Sequence, residues 1–456
     1  MSVLEEKNVS PENPYYRSLD VSWKEGIPAA VMIAVTDYYL IPLGLFLGAT
    51  SLQVGLLVAI PQLLGSIAML MAVRAVKMVG SRLGFLVRAT AAQAATLAPL
   101  ALLPFFHVPY RVEFMILLTA AFRILGNLIG TVWGSLASDY LPPEKRGKYF
   151  GWRNQITGFA GVMGVVFGGL LLYSFRHNHV LGFGLLFGVT SLARFLSAFL
   201  MSKMQDPPLN ESPESNFSFY RFIAQFRKSN FVKFVLYVTA ITFATNLSAP
   251  YFNVYMLRDL KLNYFFYMVI HLSAVVGSLV SFPVWGRHAD HFGNAKILKV
   301  TSLLIPAVPA LWLLPPSIPA LILIEIFAGF VWGGFNLCAL NFIYDAVSPE
   351  KRVRCLGYFN LINGVGIFAG ATLGGLIAEK LPALMGYRLF SLFLISSILR
   401  IFSHFLLSKQ FKEVRASAKQ ISGSKLLFSV VGIRPLLGGT RNWNLFSFIK
   451  HSAWEQ

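Results

Sequence analysis

Charge is scarce in this chain. Lys, Arg, Asp and Glu make up 13% of its 456 residues, against about 25% in an ordinary soluble domain. Acids are scarcer than bases, 20 against 39, for a formal net charge of +19. Cysteine is nearly absent: Cys338 and Cys355 stand alone, which excludes a disulfide framework and fits two packing thiols. There is no GxxxxGK[ST] phosphate loop, so the chain does not carry its own ATP drive. HExxH, GxSxG and CxxC are missing as well, so nothing points to an enzyme, a metal or a cofactor. No small-residue cleavage pattern follows the first apolar run, which reads as an uncleaved anchor.

What is present is apolar surface. Hydrophobic residues are 55% of the chain and mean hydropathy is +0.61. A run of about 18 or more apolar residues is long enough to cross a hydrocarbon core about 30 Å thick. Twelve such runs occur, near 26–48, 52–73, 84–106, 112–137, 154–174, 180–201, 232–256, 264–284, 297–314, 318–344, 356–378 and 386–407. In lipid every backbone N–H and C=O must be paired within the element, so runs of this kind predict helices.

The bases are placed unevenly. If the N-terminus is cytoplasmic, 30 of the 39 Lys and Arg fall in the two tails and the even-numbered loops. That is the positive-inside bias. It puts both termini in the cytoplasm and turns the basic surface toward anionic lipid, not nucleic acid. The chain divides into a tail (1–25), a first bundle (26–201), a linker (202–230), a second bundle (231–408) and a basic tail (409–456).

One charged stretch appears twice. DYLPPEKRGKYFG begins at Asp139 and DAVSPEKRVRCLG at Asp345, an offset of 206. The same offset links Glu144 with Glu350, Arg146 with Arg352, and Gly168-Gly169 with Gly374-Gly375. So long a period is no solenoid repeat; it signals two homologous halves. Pro143 and Pro349 should stop the helix before them. Asp139 and Asp345 then sit at helix C-termini, where the dipole disfavours an anion, so each should pair with Arg or Lys.

Between spans 8 and 9 the chain reads GRHADHFGNAK, from Gly286 to Lys296. With Gly286, Asp290, Gly293 and Lys296 it resembles the GxxxDxxGxxK loop of the major facilitator superfamily. Twelve spans, two halves and the doubled PEKR loops extend that resemblance over about 26–408. It implies an all-α membrane protein of two pseudo-symmetric six-helix bundles that moves a small solute by alternating access. Gly286 and Gly293 should permit a tight turn. Asp290 should meet the start of span 5, near Arg146, as a latch between the halves. In the first half Lys77 takes the place of that acid, so its partners should be Asp345 or Glu350. Spans 5 and 11 carry glycines close to the signature of antiporter branches, but without its proline, so export by antiport is only modestly favoured.

An ionisable group inside a span is costly and marks function. Asp37 lies in span 1, Arg123 and Asn127 in span 4, His271 in span 8 and Glu325 in span 10. Asn246 on span 7 adds a neutral donor. By resemblance, spans 1, 4, 7 and 10 line the central cavity. A carboxylate held out of water can exchange a proton near neutral pH, which suits Asp37 or Glu325 as a coupling group. Arg123 stays charged and either holds an anion or pairs with one of those acids. His271 reads as a hydrogen-bonded packing residue, with a proton relay in the coupling path as the alternative, and Arg194 and Arg400 as side chains that snorkel. The reading is thus a monomeric, proton-coupled transporter of a bacterial inner membrane. A symporter or facilitator for uptake is the alternative, and a transporter-like sensor or assembly factor the alternative of another class. A reporter fused after Gln456 should give a cytoplasmic signal; an external signal would overturn the twelve-span topology.

Overall fold

The computed structural model describes residues 13–208, 229–348 and 351–415, together with Leu426. Among the described residues, twelve helices are long and apolar enough to span a membrane. In the first half these are α1 (Tyr16–Phe46), α2 (Ser51–Met69), α3 (Arg82–Phe105), α4 (Arg111–Asp139), α5 (Pro143–Ser174) and α6 (His179–Met201). In the second half they are α7 (Asn230–Asp259), α8 (Tyr264–Phe292), α9 (Asn294–Leu311), α10 (Ile318–Ala346), α11 (Arg352–Ala378) and α12 (Arg388–Leu407). Helix starts carry the polar caps their sequences offer. Thr50 and Gln53 close a capping box on α2, and Ser81, Asn178, Ser229, Asn263 and Ser317 each accept from a first-turn N–H. These bonds satisfy donors that the helix itself leaves free.

An even number of spans puts both ends of the bundle pair on one side, the tail side; the opposite side is the far side. α1 begins at Tyr16, ten residues before the apolar run alone suggests. Glu25 is therefore inside a helix, not in a tail. α8 likewise runs on to Phe292 and α9 starts at Asn294. Gly286 is helical, and the turn rests on Gly293 alone, at φ +86°. Its counterpart Gly80 has φ +75°.

Glycine sets how closely helices approach. A Cβ on Gly277 would lie 2.1 Å from the Ile326 carbonyl oxygen, and one on Gly329 1.9 Å from that of Ala274. α8 and α10 are thus in backbone contact. α2 and α11 meet along their whole length: Gly375 faces Leu52, Gly55 faces Ala371, Gly364 faces Ser66 and Gly357 faces Leu70. α5 and α8 behave differently. They touch near the far side, where Gly169 lies under Met268 and Tyr173 packs on Phe265 at 5.8 Å. Toward the tail side, a Cβ on Gly151 or Gly158 would meet no other element within 4 Å among the described residues. The halves are closed on the far side and parted between α5 and α8 on the tail side.

α7 and α9 are broken, at Leu247–Ser248 and at Ile305–Pro306. The break in α7 frees carbonyls that α12 satisfies. Ser396 donates to the Ala244 oxygen at 2.6 Å, and Arg400 to the Thr245 oxygen at 3.4 Å and to Ser248 Oγ at 3.0 Å. Arg400 also donates to the Ile305 oxygen at 3.2 Å. This side chain is 1% exposed; it does not snorkel but clamps both breaks.

Adding side chains to the α8–α10 seam forces backbones apart, and overpacking of that kind costs about 1–3 kcal/mol. Gly329→Val should lower the melting temperature of the purified protein measurably, whereas Gly130→Ala, with nothing within 4 Å, should leave it unchanged.

Candidate functional site

Asp37 on α1 and Arg123 on α4 form an ion pair. Both side chains remain partly open to the space between the halves, at 40% and 34% exposure. Asn127, one turn beyond Arg123, packs against α2 at Gly65. Arg123 thus pairs with Asp37 rather than Glu325, and the pair carries no net charge.

Next along α1, Tyr38 points the network at the other half. Its ring meets His271 edge-on at 5.3 Å. It stands within electrostatic reach of both Asp37 and Glu325. Tyr267 shares its hydroxyl proton between the Tyr38 carbonyl, at 2.9 Å, and Asn253 Oδ1, at 2.7 Å. His271 Nε2 donates to the same Asn253 oxygen at 2.9 Å. Tyr39 donates to the Val165 oxygen at 2.6 Å and so fixes α1 against α5. Asn246 is spent elsewhere, on the Thr242 carbonyl of its own helix at 2.9 Å. Asp37, Arg123, His271 and Glu325 are therefore brought into one network by Asn253 and by tyrosines, and the tyrosines are what the sequence reading did not single out. Their signal was present as three polar-tipped aromatics, at 38, 39 and 267, inside spans.

Above this network the far side is closed by a carboxylate at a helix N-terminus. Glu379, just past α11, accepts from the Ser51 backbone N–H at 3.1 Å. Arg258 donates to Ser51 Oγ at 3.3 Å. Bonding to the Ser51 N–H and hydroxyl holds the Glu379 carboxyl below its ordinary range. The macrodipole of α2 favours the same ionised form.

The tail side explains the repeated PEKR stretch. Arg146 donates to the Leu141 oxygen at 2.9 Å, and Arg352 to the Val347 oxygen at 3.2 Å. The two acceptors are again 206 apart. Each arginine caps the end of the helix before its loop, where the dipole favours a cation. Asp139 pairs with Arg82 at 2.7 Å. Asp345 accepts from Asn294 at 2.7 Å and pairs with Arg415 at 2.8 Å. Arg415 also reaches Asp290, at 3.4 Å.

The inter-half latch predicted here is not formed. Asp290 meets Arg415 rather than Arg146 and the start of α5. Lys77, on the short helix Ala72–Val79, makes no ion pair among the described residues; Asp345 is taken by Arg415, and Glu350 lies outside them. The carboxylate at a tail-side helix start is Glu413, which accepts from the Ala295 N–H at 2.8 Å. Phe411 anchors this segment, fully buried with its ring tilted against Tyr237 at 4.9 Å. The parted α5 and α8 account for the missing latch: with that mouth open, the acids find partners within their own half.

A second buried cluster was not foreseen. Arg153 on α5 pairs with Glu25 at 3.0 Å and donates to the Ser22 oxygen at 3.1 Å. Arg194 on α6 donates to Gln93 Oε1 at 2.8 Å and to Ser197 Oγ at 3.2 Å. Ser197 in turn donates to Glu25 at 3.0 Å. Arg194 is 4% exposed, so it does not snorkel. Arg194 and Arg400 are 206 residues apart, the offset of the PEKR repeat, and that was the available signal.

A family model described as Major Facilitator Superfamily matches residues 27–281 and again 235–453. Multidrug resistance protein 3 of Bacillus subtilis is 24% identical over 184 residues, 39% of this chain. The chain spans about a third of the length of that curated relative. Among solved structures, the D-xylose-proton symporter superposes with a TM-score of 0.64 at 13% identity, covering 89% of this chain and 99% of that one. A bacterial homologue of the human lysosomal transporter Spinster, inward-facing and occupied, gives 0.63 at 16% identity, covering 88% and 98%.

Arg415 ties the segment after α12 to two acids. Breaking partly exposed pairs costs about 1 kcal/mol, so Arg415→Ala should speed tryptic cleavage after Lys412 about fivefold, with Arg415→Lys in between.

Proposed function

Because the chain belongs to the Major Facilitator Superfamily and is a multi-pass membrane transporter, we propose that it moves a small solute by alternating access, coupled to protons. The observation that carries this reading is the placement of the Asp37–Arg123 pair in one half and Glu325 in the other, with Tyr38 at the seam within electrostatic reach of both carboxylates. A proton on Asp37 removes the attraction that holds Arg123, and the freed guanidinium then seeks another anion. A proton arriving on one carboxylate and leaving from another would so change the contacts between the halves. The Tyr267–Tyr38 bond crosses the same seam, so a change at Asp37 is felt one residue away at the closure.

In this reading the tail side is cytoplasmic and the membrane is a bacterial cytoplasmic membrane. The arrangement is the inward-open state of a monomer, with its basic tail-side surface against anionic lipid. Export by antiport is favoured over uptake by the glycine-lined α5 and α11 and by the likeness to a multidrug resistance protein. Uptake by symport is the second reading, favoured by the fold shared with a proton symporter.

Reconstituted in proteoliposomes, Asp37→Asn and Glu325→Gln should each abolish gradient-driven flux while the helical circular dichroism signal stays intact. If both variants still accumulate solute with unchanged pH dependence, coupling does not run through these carboxylates.

A further inference from the structure

Between α1 and α4, on the tail-side half of the first bundle, lies a cavity of about 250 Å³. Its wall includes Glu25, Arg153, Arg194, Trp133, Gln93 and Asn127. Arg123 and Ile33 border it too, so it adjoins the Asp37–Arg123 site.

The charge of this cavity does not balance. Two buried guanidiniums, Arg153 and Arg194, face one buried carboxylate, Glu25. Neighbouring acids are already engaged: Asp37 by Arg123, Asp20 by Lys24 at 2.6 Å, and Asp139 by Arg82. Among the described residues one positive charge is therefore left without a counter-charge within a membrane-spanning bundle, where an unpaired ion is costly. The donors are in excess as well. A guanidinium offers five N–H groups, whereas the partners described above engage two nitrogens of Arg153 and two of Arg194. Trp133 adds another: its Nε1–H is buried with no acceptor among the described residues. Its ring carries the Arg153 guanidinium at 4.1 Å, which holds that cation at the wall. The rest of the lining is largely apolar, with Met32, Phe122 and Ile129 among it.

We propose that this cavity is the subsite for an anionic group on the transported solute, and that the solute class is a small organic acid with an apolar, ring-sized body. The inference rests on the transport reading above and adds to it which charge the solute bears. The carboxylate would lie between the Arg153 and Arg194 guanidiniums and take the Trp133 N–H. Glu25 competes for the same two arginines, so it tunes the strength of the site: an incoming anion shares cations that Glu25 already holds. A cationic solute finds a single acid there, already bound by Arg153 and Ser197.

The test uses the purified full-length chain and three probes with one ring and different heads: benzoate, benzyl alcohol and benzylamine. Ligand-dependent thermal stabilisation gives an apparent Kd for each. Benzoate should stabilise the protein in a saturable way and the other two should not. Arg153→Gln and Arg194→Gln should weaken benzoate at least tenfold. Glu25→Gln should tighten it at least threefold, a gain that a merely damaged bundle would not produce. Equal stabilisation by benzylamine or benzyl alcohol, absence of a benzoate effect, or weaker benzoate binding in Glu25→Gln would overturn the proposal. Flux assays separate this from the transport reading. Selective benzoate binding with no gradient-driven movement of any carboxylate solute sinks the transport reading and leaves the anion site. Gradient-driven flux of a neutral or cationic solute, without benzoate selectivity, does the reverse.

Discussion

A charge taken into a hydrocarbon-walled bundle must find a counter-charge or a fixed dipole within a few ångströms, or it does not stay there. Most of the arrangement follows from that constraint. Asp37 has Arg123, and Glu25 has Arg153 and Ser197. Arg400, with no carboxylate near it among the described residues, uses the carbonyl ends of two broken helices. The PEKR arginines use the carbonyls that end α4 and α10. Each solution also fixes a geometry. A clamp on a helix break holds that break in place, and an ion pair across two helices sets their distance.

The seam between the halves is where few charges are spent. Glycines let α2 and α11 run together along their length, and backbone packing carries that contact. α5 and α8, the matching pair, join only near the far side. The polar joints between halves that close the far side are few: Glu379 and Arg258 on Ser51, and Tyr267 on the Tyr38 carbonyl. A closure built from so few bonds can be undone at modest cost, as the proposed alternating access requires.

Much of this was legible in the sequence. Apolar run length located all twelve helices within a few residues at most ends, because lipid leaves the backbone no other solution. The 206-residue offset pointed to two halves and to the equivalence of Arg146 and Arg352, but not to their role of capping the helix end before each loop. Individual partners were less legible. Glu25 was read as tail because hydropathy ends where a helix takes in polar residues, although the helix itself continues. Arg194 and Arg400 were read as snorkelling because distance to a span end says nothing of which face a side chain occupies. Asp290 and Asp345 were assigned to the opposite half, but Arg415, 125 and 70 residues away in sequence, reached them first. Gly286 was read as a turn residue because a loop pattern does not fix where a helix stops.

The central claim is that this is a far-side-closed state held by a small set of polar joints, with Glu379 on the α2 N-terminus among them. Distances between spin labels at Val108 and Met385 report the far side, and those at Met78 and Lys409 the tail side. In the native chain at neutral pH the far-side distance should be short and single. Glu379→Gln should add a longer far-side population and a shorter tail-side one. Because Glu379 is held below its ordinary carboxyl range in the closed form, its contribution is complete above that range and is lost as pH falls below it through the lowered value. Acidification should therefore shift the native chain in the same direction and the variant far less. Distances that stay unchanged in Glu379→Gln, or a far side already long in the native chain, would contradict the account.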